Sequence, residues 1–174
     1  MSDIPDYIVL KRHRDLEELR GLRPRHLILS AIVVFSLLGL LNVFGQRPET
    51  STASAPAASL ELSAPTKLRG GLLFSARFHI TARRDVKNAT LVLDPGWAEG
   101  MAINTIEPSP VSEGSTDGKL TFGLGHIPAG QSYTLWMQFQ VNPTTVAWHR
   151  PAGVTFRDGP RTLGRIDRSY DIYP

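Results

Sequence analysis

Tyr133-Thr134-Leu135-Trp136-Met137-Gln138-Phe139-Gln140-Val141 is the stretch from which the fold is read. Tyr133, Leu135, Met137, Phe139 and Val141 take every second position, and Thr134, Trp136, Gln138 and Gln140 fill the gaps. A β-strand sends successive side chains to opposite faces, so this pattern predicts a strand with one face in a core and the other toward solvent. Trp136 breaks the polar side. A large apolar ring there marks either a contact surface or a patch covered by a loop, such as the one carrying Trp148.

The same period of two extends outward from this strand. Leu60 and Leu62 alternate with Glu61 and Ser63. After a turn over residues 65–71, Leu72, Phe74, Ala76, Phe78 and Ile80 alternate with Leu73, Ser75, Arg77, His79 and Thr81. Ala89, Leu91 and Leu93 repeat the rhythm until Asp94-Pro95-Gly96 stops it. Residues 101–106 read as a further strand, Leu120, Phe122 and Leu124 as a short one, and residues 153–156 and 165–173 as the last. Asp117-Gly118, Pro128-Ala129-Gly130 and Asp158-Gly159-Pro160 supply turns between them. About seven or eight short strands across residues 60–174 predict an antiparallel immunoglobulin-like β-sandwich.

A family resemblance rests on three pieces that occur in order. They are residues 65–75, from Pro65-Thr66-Lys67-Leu68-Arg69-Gly70-Gly71 onward; Ala89-Thr90-Leu91-Val92-Leu93-Asp94-Pro95-Gly96-Trp97; and Leu124-Gly125-His126-Ile127-Pro128-Ala129-Gly130 with the strand that follows. Together they resemble the immunoglobulin-like repeats of bacterial surface and adhesion-related proteins. The resemblance covers residues 60–145. It implies a β-sandwich with a binding or spacer role, and it carries no catalytic residues.

Toward the N-terminus the pattern changes. Residues 27–45 run without a charge, from Leu27-Ile28-Leu29 to Val43-Phe44-Gly45. As a helix rising about 1.5 Å per residue they would measure roughly 28 Å, so one transmembrane helix is expected. A cleaved signal peptide is the rival, but its apolar core is typically about 7–15 residues. Lys11, Arg12, Arg14, Arg20, Arg23 and Arg25 precede the run and only Arg47 follows closely. That bias places the N-terminus in the cytoplasm and the C-terminal domain outside. Residues 1–26 then form a basic, partly helical cytoplasmic head. Residues 46–59, rich in Ser, Ala, Thr and Pro, form a flexible linker. Asn42, near the outer end of the run, reaches either a neighbouring helix or interfacial water.

Cysteine is absent, which excludes disulfides, a thiolate nucleophile and cysteine-bound zinc, and favours a bacterial source. The formal charge of +3 is small and six of the 19 basic residues precede the apolar run, so nucleic acid is not an expected partner. No Gly-x-Ser-x-Gly, His-Glu-x-x-His, phosphate loop or dinucleotide fingerprint occurs. His13, His26, His79, His126 and His149 lack ligand spacing, so neither metal nor cofactor is expected. Toward the C-terminus, Arg150, Arg157, Arg161, Arg165 and Arg168 lie between Trp148 and Tyr173. This basic, aromatic end reads either as a surface for acidic lipid or protein or as an ordinary exposed edge.

These readings point to a non-catalytic accessory or scaffold subunit of a bacterial inner-membrane complex, with integral membrane proteins and membrane lipid as partners. The expected contacts are Asn42, Trp136, Trp148, Arg161, Arg165 and Arg168. The alternative is an extracytoplasmic ligand-binding or sensor module.

Overall fold

Alternation in the sequence becomes burial in the folded chain. The structure, a computed structural model, describes residues 22–41 and 46–174, and the chain divides into one unit ending at Gly45 and another running from Gln46 to Pro174.

In the second unit the described residues form thirteen strands. These are β1 (Pro48–Ser54), β2 (Ala58–Pro65), β3 (Lys67–Arg69), β4 (Leu73–Ala82), β5 (Val86–Leu93), β6 (Met101–Glu107), β7 (Ser112–Thr116), β8 (Lys119–Ile127), β9 (Ser132–Val141), β10 (Ala147–Pro151), β11 (Val154–Asp158), β12 (Arg161–Ile166) and β13 (Ser169–Tyr173). One sheet has the order β1-β2-β4-β9-β6 and a second the order β12-β11-β5-β8-β7. Every pairing within these two is antiparallel. A small third sheet, β10-β13-β3, contains a parallel pair, β13 with β3.

The alternating apolar faces of both large sheets enter one core. Phe74, Ala76, Phe78 and Ile80 of β4 and Leu135, Met137, Phe139 and Val141 of β9 are buried, as are Leu91 and Leu93 of β5 and Val154 and Phe156 of β11. Trp97 sits at the centre, fully buried on a short 3-10 turn, Pro95–Trp97. Its ring lies 5.5 Å from that of Phe78, 5.2 Å from Phe139 and 5.0 Å, edge-on, from Tyr170. Its indole Nε1 donates to the Ala152 carbonyl at 3.0 Å, so the one polar atom of the ring is paired. The turn brings its backbone hard against β10. A Cβ at position 96 would collide with the Pro151 carbonyl oxygen, which leaves only glycine there.

Two expectations require correction in this unit. Residues 46–59 are not a flexible linker: Pro48–Ser54 pair with β2 over a continuous register from Pro48↔Pro65 to Ser54↔Ser59. The strand has no large apolar residue, and the backbone ladder holds it. It also meets the opposite sheet, where Gly164 of β12 leaves room for Ala53. The strands outnumber the seven or eight expected, because short edge strands and the three-residue β3 carry no period-two signal of their own.

In the first unit, α1 (Leu22–Leu40) is the described helix. Among the described residues no helix is long and apolar enough to cross a membrane, which overturns the expected transmembrane helix. The reason is where the helix lies on the sequence. It starts before the apolar run, taking in Pro24, Arg25 and His26, and stops at Leu40. Its uncharged part, residues 27–40, is roughly 21 Å long, against about 30 Å of hydrocarbon. Apolar side chains nevertheless cover it. Leu27, Ile28 and Leu29 are each at least half exposed, and consecutive residues point about 100° apart around a helix. Of the expected head over residues 1–26, residues 22–26 belong to α1, while residues 1–21 and the contact at Asn42 lie outside the described residues.

Candidate functional site

The outward face of the first sheet is polar by alternation, and strand register decides which of its residues meet. Arg77 of β4 stands opposite Trp136 of β9, and Trp136 stands opposite Glu107 of β6. The Arg77 guanidinium lies 5.7 Å from the Trp136 ring centroid, within cation–π range. Its Nη2 also donates to Glu61 Oε1 at 3.0 Å. Beside this row, His79 Nδ1 and Thr134 Oγ1 are 2.8 Å apart. Glu61 therefore fixes Arg77, and Arg77 lies against the indole. Trp136 remains 49% exposed in this clamp, so among the described residues no loop covers it.

Trp148, the loop residue that was an alternative cover, lies elsewhere. It belongs to β10 in the third sheet and packs edge-on against Tyr173, with ring centroids 5.0 Å apart. Both rings are exposed. Arg69 stands opposite Tyr173 in the parallel pair and donates through Nε to the Pro174 carbonyl at 3.2 Å. His149 adopts a left-handed φ of 51°, and its N–H donates to Asp171 Oδ1 at 2.8 Å. A second aromatic patch with basic neighbours thus sits at the end of the sandwich where β9 finishes.

The C-terminal arginines do not share one surface. Arg165 Nη2 donates to Asp94 Oδ2 at 2.7 Å, its Nε to Asp167 at 2.6 Å and its Nη1 to the Thr155 hydroxyl at 3.0 Å. The hydrogen bond to nearly buried Asp94, then the one to Asp167, pushes its pKa further up. Arg168 donates to the Ala64 carbonyl at 2.8 Å, and its guanidinium lies 5.6 Å from the Tyr170 ring. Arg150 binds the carbonyl of Glu99. Of these arginines, only Arg161 keeps an exposed side chain with no bond to another of the described residues, and it lines a cavity at the turn end of the sandwich. The sequence had placed Arg77 on the polar face without distinguishing it, because its place beside Trp136 depends on a register between distant strands.

The histidines stay apart: His126 Nε2 meets Asp85 at 2.6 Å and His149 Nδ1 meets Asp171 at 3.6 Å. Among the described residues no three His, Cys, Asp or Glu side chains are grouped to hold a metal ion. On its open side the sandwich has a groove of about 460 Å³ between β6 and β7, lined in part by Ile103, Ile106, Leu120 and Phe122.

No family model matches the chain, and no curated protein matches it. Among solved structures it is similar to AvmM, described as catalysing macrocyclization in alchivemycin A biosynthesis, at 10% identity over 75% of this chain and 90% of that one, with a TM-score of 0.42. An immunoglobulin-like protein from Pseudomonas aeruginosa is similar at 14% identity over 72% and 94% of the two chains, with a TM-score of 0.33. The alkylpurine DNA glycosylase AlkC of Pseudomonas fluorescens is similar at 11% identity over 77% of this chain and 32% of that one, with a TM-score of 0.35. An all-β fold with an immunoglobulin-like neighbour is compatible with these likenesses. At such scores they carry no argument about activity, and they include enzymes as well as a protein named only for its fold.

Proposed function

We propose that this protein is a non-catalytic accessory subunit of a bacterial inner-membrane assembly, docking on its integral partners through the outer face of the first sheet. Trp136 carries the reading. It is a half-exposed indole midway along β9 on the outward face of the first sheet, held by an arginine that a glutamate holds in turn. Trp and Arg are enriched among the residues that dominate protein interfaces, and a preset side chain loses little freedom on binding. Glu107 and His79 supply a polar rim. The exposed Trp148–Tyr173 pair is a second contact, suited to lipid headgroups or to the same partner. The membrane setting rests on α1, whose apolar side chains need an apolar surround on every side. Nothing in the reading asks α1 to cross the bilayer. A second reading, a ligand-binding or sensor module, draws on the groove between β6 and β7.

The test is a mild-detergent pull-down of the full chain from bacterial membranes, quantified by mass spectrometry. Integral membrane proteins should copurify in fixed ratio. Trp136→Ala should reduce their retention about tenfold or more, in line with interface anchors that cost 2 kcal/mol or more on truncation. The melting temperature should stay within about 2 °C of the parent, because the ring is outside the core. Absence of fixed-ratio partners, or a sharp fall in melting temperature, overturns the reading.

A further inference from the structure

The turn end of the sandwich carries charge that the fold does not neutralise. Residues 55–57 between β1 and β2, 83–85 between β4 and β5, and 159–160 between β11 and β12 meet there. The N–H groups of Arg83 and Arg84 donate to the Ala57 carbonyl at 2.8 and 2.9 Å, and that of Gly159 to the Asn88 carbonyl at 3.0 Å. The Arg83 side chain goes to the Ala55 carbonyl and the Ser54 hydroxyl, and that of Arg157 to the Pro160 carbonyl. All these acceptors are neutral. Two carboxylates stand nearby against the four guanidinium groups of Arg83, Arg84, Arg157 and Arg161: Asp85, which meets His126 at 2.6 Å, and Asp158, which accepts from the N–H of Asn88 at 2.8 Å and keeps its charge. Among the described residues, no salt bridge joins Arg83, Arg84, Arg157 or Arg161 to a carboxylate.

A cavity of about 270 Å³ opens between these turns, lined by Arg84 and Arg161 together with Asp85, Asp158 and the apolar residues Ala55, Pro56 and Ala57. We propose that it binds a small carboxylate bearing a short apolar tail. A guanidinium matches a carboxylate or a phosphate through paired N–H donors. Two features choose between them. Asp85 and Asp158 in the wall repel a dianion more strongly than a monoanion. Pro56, exposed, and Ala55 and Ala57, partly so, form apolar lining that a bare phosphate would leave unused. The site lies at the strand ends, away from the Trp136 face, and its ligand does not depend on the docking reading.

The experiment is a titration of the full-length chain, ¹⁵N-labelled and held in nonionic detergent, followed by amide chemical shifts. The probes are sodium butyrate, sodium acetate, n-butanol and inorganic phosphate. Butyrate should give saturable shifts at Arg84, Val86, Thr162 and Leu163, with a dissociation constant of about 1 mM. Acetate should bind several-fold more weakly, because each buried methylene adds affinity. Butanol should not saturate. Arg84→Gln and Arg161→Gln should each weaken butyrate about tenfold, with the remaining spectrum unchanged because both side chains are exposed. Non-saturable butyrate shifts, equal binding of acetate, saturation by butanol, phosphate binding as tightly as butyrate, or variants that titrate like the parent each overturn the proposal.

Discussion

Tyr170 shows how one atom can set a pH dependence. Its ring packs on Trp97 and Phe74, yet its hydroxyl is buried without a hydrogen-bond partner. Burial pushes its pKa well above the usual tyrosine value, and the nearby Arg168 charge opposes that shift only in part. Tyr133 moves in the same direction through its own partial burial. Both phenols are therefore neutral in the fold. Their contribution is fully present below about pH 10 and is lost as pH rises beyond it, where the unfolded chain releases a proton that the folded chain retains. Tyr170→Phe removes the unpaired hydroxyl while keeping the ring. It should raise stability by up to about 1 kcal/mol at pH 8 and flatten the alkaline decline. Urea denaturation of parent and variant at pH 8 and pH 10.5 measures both effects. Destabilisation of the variant at pH 8 would show that the hydroxyl bonds within the fold.

At the scale of elements, what the sequence displayed was the facing of strands. Phe78 and Phe139 were readable as core from alternation alone, and both are fully buried. Gln140, on the opposite face of β9, is exposed. Phe78→Ala or Phe139→Ala should cost about 3–5 kcal/mol, and Gln140→Ala less than about 0.5 kcal/mol. Chemical denaturation of the three variants tests the register, since a one-residue slip would exchange the two classes. Other elements were hidden for physical reasons. β1 is polar throughout and owes its place to a ladder with β2, so neither period nor propensity marks it. β3 is three residues long and joins β13 in parallel across most of the domain's length, a pairing without local signal. Trp97 lies in a turn, where alternation does not apply, although it centres the core. In α1 the apolar run was plain, but the helix is placed earlier along it than hydropathy suggested. Of the candidate site, Trp136 was legible because it broke a clear pattern. Its Arg77–Glu61 clamp was not, because three strands must first come into register.

The whole β domain provides the sharpest contrast between the two readings of its N-terminal edge. If residues 46–59 were a linker, a chain without β1, starting at Ala58, would fold as well as one starting at Gln46. The structure places β1 on the outer edge of the first sheet and near β12 of the second, with Ala53 fitted against Gly164. Removing it would strip one side of β2 of its partners and uncover apolar β2 residues, Leu60 and Leu62 among them, that are now buried. Net hydrogen-bond contributions of about 0.5–1.5 kcal/mol each, offset by the entropy of ordering a short polar segment, leave an expected loss of about 2–3 kcal/mol. For a domain of this size that corresponds to a fall in melting temperature of roughly 6–12 °C. The newly exposed β2 edge would also invite pairing between chains, so the shorter form should associate with rising concentration. Thermal unfolding followed by tryptophan fluorescence, with light scattering at two concentrations, gives both readouts. A shorter chain with the same melting temperature and no association would return this segment to the status of a linker. A lower melting temperature with concentration-dependent scattering would establish β1 as a structural edge of the domain, and would set the domain's beginning at Gln46 rather than near Leu60.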